Sequence, residues 1–474
     1  MQLPDIFLLA LLMVLPRLIP SQRIRRGAML VCSAVFVFKF QPVLPVRGLD
    51  FYFPLWTLLL TLCVYGAFSK QNPLKTRHNL IDLAVIISTV LLAAATRLIS
   101  YDGIITASRP PQFMRIMPML ITGAVLAFGV NILTIKGKSW PAKIFIVLIL
   151  LLLVLLKTPR LTLWMSKSIR ILNGQSADLA LSSDIRWFGF SYIAFRLLSI
   201  LIDCTKGRKA DLRLGDFLIY VCFPPALSAG PIDRWDRFTK EFSSGSKNRI
   251  DEDLLSGLGQ IALGLFHKFI IADALAKMAL SAQNAEQFIH TSWVWAALFA
   301  YSFQIYFDFS GYSEIAIGLG MLFGIHLSKN FDHPYLKPDL TKFWSSWHMT
   351  LTQWIRSYVV TPLTRSLRSN KAHPLPQWFI VLITQLTTML LIGLWHGVSL
   401  NFIIWGVWHG LGLFFHQLYS RKTGSWLRTK SSGFAKVYTV CTTLFTFLYV
   451  SLGWIWFVVP DFTGALRFFG RLFG

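Results

Sequence analysis

Residues 144–156 read IFIVLILLLLVLL, a run in which no side chain carries a polar atom. A helix that is apolar all round is stable only in a protein core or in lipid. Working outward from it, further apolar runs recur at 4–15, 29–40, 51–68, 80–98, 117–135 and 142–156. They continue at 187–202, 217–227, 254–280, 293–307, 378–394, 402–418 and 438–459. Hydrophobic residues make up 54% of the 474-residue chain and charged residues 14%, against roughly 45–50% and 25% in soluble domains. A helix needs about 20 mostly apolar residues to cross the hydrocarbon core, so the shorter runs are read as tilted, re-entrant or protein-buried segments. The expectation is an all-α polytopic membrane protein with roughly eleven to fourteen membrane helices.

The net charge of +24 comes from 46 Lys and Arg against 22 Asp and Glu. In a soluble protein that balance points to nucleic acid. Here the basic residues sit in short loops: Arg23, Arg25 and Arg26; Lys70, Lys75 and Arg77; Lys136, Lys138 and Lys143; Lys206, Arg208, Lys209 and Arg213. Such loops orient a membrane protein and favour anionic lipid, so the bilayer is the expected partner and nucleic acid is not. The same charge could also draw an anionic donor, such as a coenzyme A thioester or an acidic carrier protein. Residues 1–5 lack a basic n-region, and no cleavable signal peptide is expected. Cys32, Cys63, Cys204, Cys222 and Cys441 are scattered and form neither metal-ligand spacing nor a disulfide framework.

Residues 1–156 read as simple apolar helices, an N-terminal extension. Segment 157–186 is either an amphipathic helix at the interface or a solvated linker. Lys157, Arg160, Lys167 and Arg170 recur there near helical spacing beside Leu161, Leu163, Trp164, Ile169 and Leu172. From 187 to 420, polar and breaker residues enter the apolar runs, and this is read as the core; 421–474 is read as a final transmembrane helix with loop and tail. Residues 223–231, FPPALSAGP, cannot form one regular helix, because each internal proline removes a hydrogen bond and clashes with the preceding turn. Segment 232–253 is polar and reads as a loop.

Ionisable groups at membrane depth are functional candidates by default. In FWSSWHMTLTQWIRSYVVTPL, residues 343–363, Trp344, His348, Leu351 and Ile355 fall on one stripe if the segment is a single helix. Trp347 and Trp354 adjoin it. In GLWHG, residues 393–397, the glycines bracket Trp395 and His396 at the end of an apolar run, where they supply positive φ or close backbone approach. His396 then either faces a cavity or simply caps the helix C-terminus. Phe402, Trp405, His409, Gly412 and His416 form a third stripe, with Gly406 and Gly410 able to permit close helix packing. His409 and His416 stand about 10 Å apart along a helix, too far to share a metal ion. YFDFSGYSEIAIGLG, residues 306–320, places Asp308 and Glu314 among apolar residues and reads as a helix break with polar groups turned inward. A histidine in a tunnel could take a proton from a hydroxyl attacking a thioester. Trp395 N–H, Arg356 or a backbone N–H could stabilise the oxyanion.

These stretches, with NFDHPYL (330–336), IGLWHGVSLNFIIWGVWHGLG (392–412), WFGFSYIAFRLLSILIDCTKG (187–207) and YVCFPPALSAGPIDRWDRF (220–238), resemble the membrane-bound O-acyltransferase family. The likeness is strongest to its bacterial branch of alginate O-acetylation and teichoic-acid D-alanylation proteins. It covers about 187–412, with the motifs in the same order. The resemblance implies a ring of membrane helices around a central funnel, in the bacterial cytoplasmic membrane. It implies transfer of an acyl group, foremost acetyl, from acetyl-CoA or another thioester to hydroxyls of an exported polysaccharide, with no bound cofactor and no metal. His396 falls on the family's active-site histidine and His348 on a second histidine of the branch. Trp344, Trp347, Arg356, Trp395, Asp308 and Asn401 are the candidate substrate-binding residues. An extracytoplasmic transferase- or esterase-like protein is the implied partner. Ser345, Ser346, Ser357, Thr364 and Arg365 depart from the branch, which bears on the donor and the partner surface. D-alanyl transfer from a carrier protein is one alternative; a transporter with a histidine proton relay is an alternative of another class.

Overall fold

The computed structural model describes residues 3–474 except 20, 70–75, 100–104, 209–212, 245–249, 370–373 and 428. Lys70, Lys75, Lys209, Lys247 and Arg249 therefore lie outside the described residues. Every regular element among the described residues is helical. Seven of these helices are long and apolar enough to cross a membrane: Leu49–Phe68, Arg77–Leu98, Phe113–Ile135, Trp140–Lys157, Asp251–Ala276, Gln377–His396 and Ser432–Val458. The chain is an all-α polytopic membrane protein. The other expected spans fall on helices that are shorter or less apolar. Two compact units divide the chain: 1–261 with 315–327, and 262–314 with 328–474.

The first unit contains α1 (Leu3–Leu18), α2 (Gln22–Lys39), α3 (Leu49–Phe68), α4 (Arg77–Ala95), α5 (Phe113–Ile135), α6 (Trp140–Lys157) and α7 (Pro159–Leu172). It continues with α8 (Phe190–Thr205), α9 (Leu214–Val221), α10 (Trp235–Ser244) and the start of α11 (Ile250–Leu265). Helix α3 is the most enclosed of the spans. It lies close against α5, where a Cβ on Gly66 would stand 2.6 Å from the Ala127 carbonyl oxygen. The break at 223–231 is real: α9 ends at Val221 and only a 3-10 turn, Pro224–Ala226, follows. The carbonyls freed there are met by Arg196 of α8, buried and donating to Val221 O at 2.8 Å and Ala226 O at 2.6 Å. A helix C-terminus leaves such carbonyls without intrahelical partners, and a buried guanidinium can meet several at once. At the other end of α9, Asp82 of α4 accepts two bonds from Arg213, each 2.8 Å, and one from the Gly215 N–H at 2.9 Å.

The polar face expected at 157–172 divides differently in the structure. Thr162, Ser166 and Arg170 of α7 are buried, whereas Leu161, Trp164 and Leu172 are exposed. Arg170 turns inward to Asp184 at 2.9 Å, and Ser166 donates to the same oxygen at 2.7 Å. Burial opposes the Asp184 charge, but bonds from Ser166, the Leu181 N–H and Arg170 outweigh it and hold the carboxyl below its ordinary value. Segment 232–253 is also not one loop: α10 occupies Trp235–Ser244, with Phe238 and Phe242 buried.

In the second unit α11 runs into a π-helical turn, Phe266–Ala272, and α12 (Asp273–Ala276). Then come α13 (Thr291–Phe323, its last residues in the first unit), α14 (Leu340–Ser346), α15 (Met349–Ile355), a π-helical turn Arg356–Val360 and α16 (Thr361–Ser369). Helices α17 (Gln377–His396), α18 (Leu400–Leu427), α19 (Ser432–Val458) and α20 (Phe462–Phe473) complete it. The expected break at 306–320 is absent, since α13 is continuous through all 33 residues. Gly311 does not interrupt it. A Cβ there would stand 2.7 Å from the Gly264 carbonyl oxygen, so this glycine is a contact point with α11. Segments 421–433 and 460–474 are likewise not merely loop and tail: α18 extends to Leu427 and α20 covers 462–473.

Helices α17 and α18 form an antiparallel pair whose backbones meet at glycine. A Cβ on Gly406 would lie 2.8 Å from the Met389 carbonyl oxygen and 2.9 Å from the Leu390 Cα, atoms that cannot swing aside. Gly406→Ala should therefore cost about 1–3 kcal/mol, read as a lower melting temperature in detergent. Gly129→Ala in α5, where nothing lies within 4 Å, should be neutral or stabilising by up to about 1 kcal/mol. Equal effects at the two sites would refute the close packing of α17 on α18. Asp184→Ala should destabilise by about 3 kcal/mol, the lower end for breaking a buried pair. Because the folded carboxyl lies below its unfolded value, its stabilisation is complete above the unfolded pKa of about 3.9. It is lost as pH falls through the lower folded value. Melting curves of the two proteins should converge only on that acid side.

Candidate active site

His396 is the last residue of α17. Gly397 follows with φ 179°, extended backbone open to any residue, so the expected positive φ is not used. Close approach is. A Cβ on Gly397 would stand 2.7 Å from the Phe402 ring, and one on Gly393 would press on the Phe402 carbonyl oxygen. The imidazole is half-buried and walled by aromatic rings. Centroid separations are 4.5 Å to Trp395, 4.7 Å to Phe457, 6.0 Å to Phe402 and 6.1 Å to Trp405. Asn401, buried at the start of α18, donates its amide N–H to Val459 O at 2.7 Å and fixes the end of α19 two residues beyond Phe457.

His348 is not on the single helical stripe that its spacing suggests. Helix α14 stops at Ser346, and His348 takes the left-handed conformation, φ 43° and ψ 53°, before α15 begins. His348 and His333 are the only non-glycine residues with positive φ among those described. Residues 330–332 bridge the break. Asp332 N–H donates to Ser346 O at 3.1 Å, and Asn330 O accepts the Met349 N–H at 2.9 Å. His348 is buried, with Phe309 edge-on at 4.7 Å and Trp395 at 6.2 Å. Trp395 thus neighbours both imidazoles.

The remaining candidates are spread around this centre. Trp344 is buried at right angles to Trp405 (5.5 Å) and packs on His409 (4.9 Å), so it reaches His396 through one intervening ring. Trp347 lies in an aromatic cluster with Phe331, Tyr335, Phe343 and Trp454. Arg356 is exposed on the π-helical turn, and no contact among the described residues joins it to either histidine. Asp308 is exposed on α13 and ion-paired with Lys268. Glu314 is half-buried and meets His267 Nδ1 at 2.7 Å, a partner that sequence reading did not supply. His409 is fully buried, neither ring nitrogen has a hydrogen-bond partner among the described residues, and a Cβ on Gly453 would stand 2.5 Å from its Nε2. His416 instead meets Thr341 Oγ1 at 3.0 Å. No cluster of three metal-binding side chains occurs among the described residues.

Asn330 was missed as well. It stands in the quoted NFDHPYL stretch, but nothing local in that stretch reveals that it meets residues 348–350. Its buried amide lies 3.4 Å from His348 Nδ1, 2.6 Å from Thr350 Oγ1 and 3.1 Å from Ser313 Oγ.

The chain is 34% identical over 289 residues to a probable alginate O-acetylase AlgI of Pseudomonas fluorescens, covering 60% of this chain and 54% of that protein. It is 31% identical over 246 residues to a teichoic acid D-alanyltransferase of Streptococcus thermophilus, covering 50% and 58%. It is 32% identical over 253 residues to a peptidoglycan O-acetyltransferase of Helicobacter pylori, covering 53% and 45%. The chain spans about half the length of the curated relatives it matches. A family model matches residues 139–452, which include both histidines, and the chain belongs to the membrane-bound O-acyltransferase family.

Proposed function

We propose that the chain is an O-acyltransferase that moves an acyl group, most simply acetyl, from a cytoplasmic thioester to hydroxyls of an exported polysaccharide. The observation that supports this best is the pair of imidazoles, His396 and His348, held against one indole by three broken or glycine-packed helices of the second unit. A thioester is already activated and needs no enzyme nucleophile. A neutral imidazole takes the acceptor hydroxyl proton as the oxygen attacks the thioester carbonyl. The new C–O bond forms, the C–S bond breaks, and the thiolate leaves with the proton, so no net proton is consumed. We assign His396 as this base, with His348 as the second imidazole acting on the reacting groups. The Trp395 indole N–H, on the ring that neighbours both, is a candidate donor to the developing oxyanion.

Acetyl-CoA is the donor we favour, and an extracytoplasmic protein that completes transfer in the bacterial inner membrane is the partner. Two of the relatives quoted carry O-acetyl chemistry in their names, which supports acetyl; the relative named as a D-alanyltransferase supports the second reading, D-alanyl transfer from a carrier protein. The ring of helices around a funnel belongs to the same proposal, since it would let donor and acceptor approach from opposite faces. Proximity of this kind can supply much of the rate enhancement.

His396→Ala should reduce glycan acylation by at least about 100-fold while expression and melting temperature stay at wild-type levels. Wild-type acylation in that variant would refute the assignment and leave the transporter reading. His348→Ala should lose activity on a similar scale, with a smaller effect on stability than on turnover. Mass spectrometry of the glycan from a deletion strain separates the donors: lost acetyl supports the first reading, and lost D-alanine supports the second.

A further inference from the structure

We infer that Asn330 is a positioning residue that fixes the backbone, ring orientation and tautomer of His348; the inference rests on the acyl-transfer reading above. Asn330 is 1% exposed and makes four connections. Its carbonyl oxygen accepts the Met349 N–H at 2.9 Å, the first N–H of α15, which has no partner within its own helix. Its side-chain oxygen faces Thr350 Oγ1 at 2.6 Å and His348 Nδ1 at 3.4 Å, and its side-chain nitrogen faces Ser313 Oγ at 3.1 Å.

Three consequences follow from general chemistry. The left-handed backbone at His348, sparsely populated for any residue with a Cβ, is held by the Asn330–Met349 bond on one side and by Thr352 N–H to His348 O, 3.1 Å, on the other. The ring cannot turn freely, because Phe309 stands edge-on against it and Trp395 lies beyond. An amide oxygen only accepts, so the imidazole proton sits on Nδ1 and the lone pair on Nε2. A bond of 3.4 Å holds a neutral ring weakly. It strengthens once the ring becomes cationic, because a charge-assisted bond is about twice as strong. The preference therefore acts mostly where positive charge develops on His348 during transfer.

The amide could be turned end for end without moving an atom, with the nitrogen then facing His348. A carboxylate at 330 can only accept, and it separates the two orientations. Transfer of radiolabelled acetyl from acetyl-CoA in membranes containing the full chain is the assay. Asn330→Leu should lower kcat/KM by about 10- to 100-fold, the usual loss when a ligand-orienting neighbour is removed. Asn330→Asp should stay within several-fold of wild type, with the acid limb of its pH profile moved to higher pH because the carboxylate raises the imidazole pKa. Wild-type rate and profile in both variants would overturn the inference, as would a folded Asn330→Asp protein as impaired as Asn330→Leu. His348→Ala in the same assay tests the underlying reading separately: if it is inactive while both Asn330 variants are normal, only the inference fails. A readout that needs no folded Asn330 variant is 15N NMR of histidine-labelled wild type. The signals that vanish in His348→Gln should report a protonated Nδ1 and a bare Nε2, and the opposite tautomer would overturn the proposal.

Discussion

In lipid or in a dry helical core, every backbone N–H and C=O must find a partner within the protein. The structure depends on that constraint most visibly where its helices break. The chain stops being α-helical at 222–231 and at 347–348, and in both places one polar residue from elsewhere joins the break. Arg196 brings donors to the carbonyls left behind by α9 and the proline turn. Asn330 brings acceptors to the start of α15. Isolated breaks would cost several kcal/mol for each unmet group. With their partners in place they become rigid corners, and the second corner carries His348.

Glycine supplies the complementary device. Where α17 meets α18, Gly393, Gly406 and Gly410 let backbone approach backbone, and between α18 and α19 Gly412 makes room for the Tyr449 ring and Gly453 for the His409 ring. Close approach leaves room for large rings on the flanks, so Trp395, Phe402, Trp405 and Phe457 converge on His396. The imidazole is thus walled by rigid rings with few rotamers, which restricts its position.

Much of this was legible in the sequence. The membrane architecture followed from apolar runs, and the stripe on α18 followed from its spacing, because both are local periodic properties. The proline break could be read because proline forbids the alternative. Misreadings occurred where the deciding partner was distant. Asp308 and Glu314 looked like helix breakers, but the π-helical turn after α11 supplies both Lys268 and His267, and α13 runs on unbroken. The stretch around His348 contains no proline or glycine, so its break could not be seen without knowing that residues 330–332 splice it. GLWHG marks His396 as a candidate, but the residues alone leave capping and catalysis equally open. Phe457 and Trp405 become its neighbours only through folding.

The unbroken α13 has a consequence for its surroundings. Thirty-three residues rise about 50 Å, whereas the hydrocarbon layer is about 30 Å thick. Counted from Trp293, an exposed indole suited to a headgroup boundary, the axis climbs about 22 Å to Asp308 and about 31 Å to Glu314. Yet α13 is not apolar enough to count among the seven candidate spans. Its length is compatible with an apolar surrounding only because Asp308 and Glu314 meet Lys268 and His267 of the neighbouring π-helical turn, so removing either partner would strand a carboxylate on a helix too long to withdraw it.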